Sequence, residues 1–326
     1  MLIALFSFFS TQVYASLIVN GQQEYGFPSV VSLGAEFGDN AFSACTGNVI
    51  TPKLVLTAAH CSGDLPMEAV LSFGKAFFGN SVSDYEHSLA FENLWVHPDY
   101  RELGTEGFFD WGEYDVSILE LVEESPVEPT PILLYPLEET DVGARLTSVG
   151  FGLTSANSNV SGQKRSAELV LSGIDSMFAI VYNSDNVDDA NICSGDSGGP
   201  QFGYDENSGI AVQWAVHSWG DQNCTSQSGS TRIDVVREWI LDYVEEVHGT
   251  RDICEANGWY DDGVCVDILG YCEMEDPDCI VPEPEDEKRG GCQNAFSETQ
   301  KEPFNSLALL SMTLLIIHLR RKNYTY

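Results

Sequence analysis

Three short segments of this chain hold side chains suited to acyl-transfer chemistry. "LVLTAAHC" at 54–61 carries His60, "EYDVSILEL" at 113–121 carries Asp115, and "CSGDSGGP" at 193–200 carries Ser197. A serine hydroxyl is a weak nucleophile at neutral pH and needs a base to take its proton as it attacks a carbonyl. An imidazole suits that transfer because its ordinary pKa lies near neutrality. A carboxylate beyond the imidazole can fix its tautomer and stabilise the imidazolium. A lone serine between glycines is usually a turn, and a lone histidine is usually a packed core residue; the three contexts together carry the signal. His87, His97, His217 and His248 have no such context and read as structural or surface residues.

In their order and wording these segments resemble the trypsin/chymotrypsin family of serine endopeptidases, over residues 18 to about 248. The resemblance implies that His60 is the general base and acid, Asp115 its orienting carboxylate and Ser197 the nucleophile. It implies an oxyanion hole made by the backbone amides of Gly195 and Ser197. Gly195 matters there because its amide must turn toward the substrate, a conformation that a β-carbon opposes. The same resemblance pairs Cys45 with Cys61 and Cys193 with Cys224. It places Asn191 at the floor of the specificity pocket, with Ile192 beside it, and makes Ser218-Trp219-Gly220 the segment that pairs with substrate as an added strand. Asn191 is neutral and Ile192 apolar, so a buried cation would lack a partner. Weak cleavage after Lys or Arg is therefore expected, and Gly220 leaves the mouth open to a bulky or medium uncharged side chain.

Activation in this family frees the amine of the residue matching Ile18, which then pairs with the carboxylate matching Asp196. "ASLIVNGQ" at 15–22 bears on how that happens, because Leu17 precedes Ile18 and the first basic residue of the chain is Lys53. Leu2 to Phe9 are almost continuously apolar, and Val13-Tyr14-Ala15 has the small-residue pattern of a signal-peptidase site. Residues 1–15 thus read as a signal peptide, and Ser16-Leu17 as a two-residue propeptide resembling that of granzymes.

The elements that must position the site read as follows. From 18 to 248, short apolar runs such as "PSVVSLG", "RLTSVGFG" and "IAVQWAVHSWG" alternate with Gly, Pro, Asn and Ser. That spacing predicts an all-β domain, and the resemblance specifies two six-stranded antiparallel barrels. "DVVREWILDYVEEV" from Asp234 predicts a C-terminal helix with Val236, Trp239, Ile240, Tyr243 and Val247 on one face and Asp234 as N-cap. Residues 249–280 read as a small acidic module stapled by Cys254, Cys265, Cys272 and Cys279, for which three pairings are open. Its aspartates lack EF-hand spacing, and no metal is expected there. Residues 281–303 form a Pro- and charge-rich linker. Residues 304–326 begin with an apolar stretch, Phe304 to Leu319, ahead of Arg320-Arg321-Lys322. As a helix that stretch rises about 24 Å, a little short of a ~30 Å bilayer core. Gly290-Gly291-Cys292 followed by this helix and basic cluster resembles the glycine-glycine sorting tails of Gram-negative bacteria.

Fifty acidic against 15 basic side chains give a formal charge of −35. This excludes phosphate-backbone binding, which needs clustered Lys and Arg, so no nucleic-acid partner is expected. Nine cysteines favour an oxidising compartment. The reading is an exported serine endopeptidase acting on proteins or peptides without a cofactor. Signal peptidase and a tail-trimming intramembrane protease would be its processing partners, and the C-terminal helix would hold it in the membrane before trimming. The alternative is a protease-like binding or adhesion protein without turnover.

Overall fold

The computed structural model describes residues 18–38, 40–62, 65–103, 108–109, 112–183, 190–205, 209–260 and 272, with backbone alone at 108–109. The expected signal peptide, propeptide, linker, Gly290-Gly291-Cys292 motif and apolar tail lie outside these residues, as do Cys265 and Cys279. Among the described residues no helix is long and apolar enough to cross a membrane.

The first half is a closed antiparallel barrel. Its strands are β1 (Val30–Phe37), β2 (Asn40–Val49), β3 (Leu54–Thr57), β4 (Gly74–Phe78), β5 (His87–Val96) and β6 (Ser117–Leu121). They pair in the order β6-β3-β2-β1-β4-β5, and β5 returns to β6. Strand alternation sorts their side chains into two cores. Val55, Leu119 and Leu121 fill the barrel with Val31, Phe78 and Phe91. Leu54, Leu56 and Ile118 face the other way, into a larger core shared with the second half of the chain.

The second half is a nine-stranded sheet. Its main strands are β7 (Arg145–Gly150), β8 (Arg165–Val170), β9 (Gly173–Ile174), β10 (Phe178–Tyr182), β11 (Pro200–Tyr204), β12 (Ala211–Asp221) and β13 (Gln227–Arg232). From the short strand Gln22–Gln23 the order runs β8-β7-β11-β12-β13-β10-β9, and Phe108–Phe109 adds to β12. The expected six-stranded closure is thus found for the first half, while the second is an open path of strands. Val30 and Phe77 of the barrel pack against Val149 and Phe202 of the sheet, which joins the halves.

A helix, α1 (Met67–Phe73), crosses the barrel side, and α2 (Ile233–His248) closes the domain. Ile233, Val236, Ile240 and Val244 of α2 are buried in the shared core, with Trp239, Tyr243 and Val247 partly buried against it. The expected N-cap is corrected. Arg232 occupies the cap position without a side-chain cap bond, and Asp234 instead accepts from Leu137 N at 3.0 Å and Arg232 Nη2 at 2.6 Å. The Leu137 bond ties the helix start to the segment that connects the two halves, and the carboxylate is thereby drawn away from a local cap.

Among the described residues three disulfides are formed: Cys45–Cys61, Cys193–Cys224 and Cys254–Cys272. The third resolves part of the pairing that the sequence left open. The first residues of the cysteine-rich segment are not detached from the body. A short helix, α3 (Ile253–Asn257), is capped by Asp252 and buries Ile253, Cys254 and Trp259 in the same core as α2.

Ile240 is fully buried where α2 meets that core. Its truncation to alanine should lower unfolding free energy by about 2–5 kcal/mol, measured by chemical denaturation.

Candidate active site

His60 sits on a single 3₁₀ turn, Ala59–Cys61, immediately after β3. Asp115 lies just before β6, where Tyr114 adopts φ 52° and turns the chain sharply inward. The Asp115 carboxylate is fully buried, and three donors converge on it. His60 N donates to Oδ1 at 2.9 Å, His60 Nδ1 lies 2.7 Å from Oδ2, and Ser218 Oγ donates to Oδ2 at 2.6 Å. Ser218 belongs to β12, so one carboxylate links the barrel, the histidine turn and the sheet. A carboxylate facing Nδ1 requires a proton on that nitrogen, which assigns the acceptor role to Nε2.

Ser197 occupies a tight turn between Cys193 and Gly199. Asp196 N donates to Cys193 O and Gly199 N to Asp196 O, both at 2.9 Å, and Thr46 N donates to Ser197 O at 2.9 Å. Gly198 has φ +81°, and a Cβ there would fall 2.0 Å from Thr57 Oγ1; no other residue fits. Ser218 also lines the cleft beside Ser197, so the nucleophile candidate and the His60–Asp115 pair share one wall.

The orientation of the Gly195 amide follows from its neighbour. Leu153 N donates to Ser194 O at 2.8 Å. In a trans peptide the N–H points opposite to the C=O, so the Gly195 N–H is turned away from Leu153. Gly195 itself has φ +93°, and a Cβ would approach Gly152 Cα to 2.9 Å.

Asp196 is the second fully buried carboxylate of the site. Gly152 N donates to its Oδ1 at 2.8 Å and Cys193 N to its Oδ2 at 2.9 Å. Gly150 and Gly152 make room for it, since a Cβ at either would fall within 2.7 Å of Oδ1. Burial pushes the Asp196 carboxyl up to about 7, against the two amide donors and the Arg165 charge, which favour the anion. Ile18 is buried with Ala167, Leu169, Val181 and Ile192. Val19 bridges to Asn191. The head of the domain therefore lies against the segment that leads to Asp196.

Ile192, Ser194, Ser197, Ser218, Trp219 and Gly220 line one narrow slot. Asn191 lies fully buried next to it, bonded through Oδ1 to Ser228 Oγ at 2.7 Å and to Ile192 N at 2.9 Å. Ser228 escapes a reading by sequence because its register on β13, opposite Gly220, is set by the sheet. Of the histidines without a motif, His217 is buried with Nδ1 3.1 Å from Ser230 Oγ, and burial takes it down to about 3.

Residues 18–240 match the family described as Trypsin. The chain belongs to that family. Among similar proteins, a trypsin of Saccharopolyspora erythraea is 27% identical over 189 residues, which cover 54% of this chain and 75% of the relative. Phenoloxidase-activating factor 1 of Holotrichia diomphalia is 26% identical over 265 residues, 70% of each chain. A chymase of Mus musculus is 26% identical over 231 residues, 67% of this chain and 86% of the relative. This trypsin-family protein is a serine-type endopeptidase, and its substrates are proteins or peptides.

The raised pKa of Asp196 has a consequence for stability. The folded protein holds a proton that the unfolded chain has lost between about pH 4 and pH 7, so this contribution is complete at the acid end and lost as pH rises through about 7. In protein whose Ile18 is still internal, thermal melts across that range should show this contribution as stability falling with pH, with a shallower slope in Asp196→Asn.

Proposed function

We propose that this endopeptidase cuts peptide bonds through an acyl-enzyme formed on Ser197, once Ile18 has become the first residue. His60 Nε2 takes the proton from Ser197 Oγ as the oxygen attacks the carbonyl. The tetrahedral anion is held by the amides of Gly195 and Ser197. Collapse breaks the C–N bond, and His60 delivers its proton to the departing amine. Water then enters by the same route in reverse and frees the acid. The observation that carries this reading is the 2.7 Å contact of His60 Nδ1 with the buried Asp115. It commits Nδ1 to the carboxylate and leaves proton transfer to Nε2, while the anion steadies the imidazolium.

Ile18 and Asp196 are the activation pair in this proposal. A free ammonium at Ile18 would give the buried carboxylate a cation and fix the 193–197 turn that carries both oxyanion donors. The nine-stranded sheet is the counterpart of the second barrel. Residues 1–15 direct export to the cell surface or beyond, Ser16-Leu17 is removed to free Ile18, and the Gly290-Gly291-Cys292 tail with its apolar segment is a transient membrane anchor. The signal-like N-terminus and the disulfides support an extracellular site of action.

A fluorophosphonate should label processed protein at Ser197 and leave Ser197→Ala untouched. No labelling of protein that begins at Ile18 would favour a binding protein without turnover. His60→Ala should lower kcat by roughly 10²–10⁴-fold. Peptides with Lys or Arg before the cut should be poor substrates, and Asn191→Asp should raise their turnover by supplying the missing anion.

A further inference from the structure

Arg165 is a cation buried close to the turn that carries Ser197. It opens β8, paired with Gly150 of β7 on one side and with Gln23 on the other, and it is only 6% exposed. Directly opposed residues of an antiparallel pair project from the same face of the sheet, with Cβ positions roughly 5 Å apart. A Cβ on Gly150 would lie 2.2 Å from Asp196 Oδ1, so that face is the one Asp196 packs against. Arg165 therefore projects from the strand toward the buried carboxylate, and glycine at 150 puts no side chain between them. The Arg165 charge favours the Asp196 anion, and Asp196 in turn favours the guanidinium charge against its burial.

The head of the domain uses the same face. Strand alternation puts Ala167 and Leu169 on the side of Arg165, and Ile18 packs against both. In the chain Ile18 follows Leu17, so its nitrogen here is an uncharged amide. Asp196 is nevertheless turned inward, accepting from Gly152 N at 2.8 Å and from Cys193 N at 2.9 Å. Gly195 already has φ +93°, with its amide turned away from Leu153. The turn is thus formed without an ammonium at Ile18, and the cation that acts on its carboxylate is Arg165.

We propose that Arg165 is a positioning residue that holds Asp196 inward while Ile18 is still internal, so that the unprocessed chain is already a slow endopeptidase. An opposite charge close to a carboxylate favours the anion by a factor of about ten to a thousand. Without Arg165, an ionised Asp196 keeps two amide donors but has no cation, and turning out to water becomes the lower-energy course. The 193–197 turn and both oxyanion amides move with it. After processing, the Ile18 ammonium supplies a second cation, and the loss of Arg165 matters less. This inference rests on the reading of Ser197 as nucleophile and of Ile18 with Asp196 as the activation pair.

The test compares protein that keeps residues ahead of Ile18 with protein that begins at Ile18. Both are treated with a fluorophosphonate above about pH 7, where Asp196 is ionised, and intact mass assigns each adduct to its form. The unprocessed wild type should be labelled at Ser197, more slowly than the processed form. Arg165→Gln should slow labelling of the unprocessed form by about tenfold or more, and that of the processed form by a factor several times smaller. Arg165→Lys should recover most of the loss. Equal slowing of both forms by Arg165→Gln would overturn the proposal, as would Arg165→Lys behaving like Arg165→Gln. Arg165→Met serves as the neutral variant if Arg165→Gln does not fold, and the wild-type comparison needs neither. Label on the processed form alone sinks this inference and spares the proposed function; no label on either form sinks the reading of the site.

Discussion

The site depends on a carboxylate that has no access to water. Burying an anion is costly unless donors replace its hydration, and Asp115 receives three: two from His60 and one from Ser218. These donors come from a turn after β3 and from β12, so the charge is satisfied only when barrel and sheet meet correctly. Assembly of the halves and orientation of the imidazole are one event. Misplacing β12 would leave Asp115 short of a donor, and the energetic penalty falls on the geometry that the proposed catalysis needs.

Asp196 solves the same problem differently. Its donors are two backbone amides, from Gly152 and Cys193, and it lies within a turn closed by its own backbone bonds. Nearby Arg165 favours the anion, yet burial still raises the pKa to about 7. Asp115 is satisfied by side chains and a backbone donor of distant segments, whereas Asp196 remains responsive to whatever charge comes next. A newly exposed ammonium is such a charge. In the proposed activation, that difference in donor supply would let one carboxylate serve as a fixed support and the other respond to the freed Ile18 amine.

Much of this was legible in the sequence because the chemistry is written in local words. The contexts of His60, Asp115 and Ser197 are each a few residues long, and the disulfides at Cys45–Cys61 and Cys193–Cys224 followed from the family resemblance. Most of what was missed depends on contacts between segments distant in the chain. Ser218 was read as a substrate-pairing residue, and its bond to Asp115 spans 103 positions. Asp234 looked like a helix cap, but Arg232 and the Leu137 amide claimed its carboxylate. Val244 was overlooked beside Tyr243, although it follows Ile240 at helical spacing and is the more deeply buried. For Ser218 and Asp234 a local reading lost to a tertiary partner that the sequence could not display.

Lys164 shows how the head of the domain is held against the sheet. It is almost fully buried, and its Nζ donates to Phe27 O at 2.9 Å while its carbonyl accepts from Glu24 N at 3.1 Å. Glu24 in turn accepts from Ser166 Oγ at 2.6 Å and from the amides of Tyr25 and Gly26 at 2.9 and 2.6 Å. Burial lowers the Lys164 pKa to about 8, with Glu24 and Glu86 pulling it back up. These bonds involve residues 24–27, downstream of Ile18, so a cut before Ile18 removes none of them. The first turn of the domain is therefore anchored beside β8 independently of processing. In the proposed activation, the cut would have only to supply a charge to a terminus already short of freedom, which would lower the entropy lost as that terminus reaches Asp196.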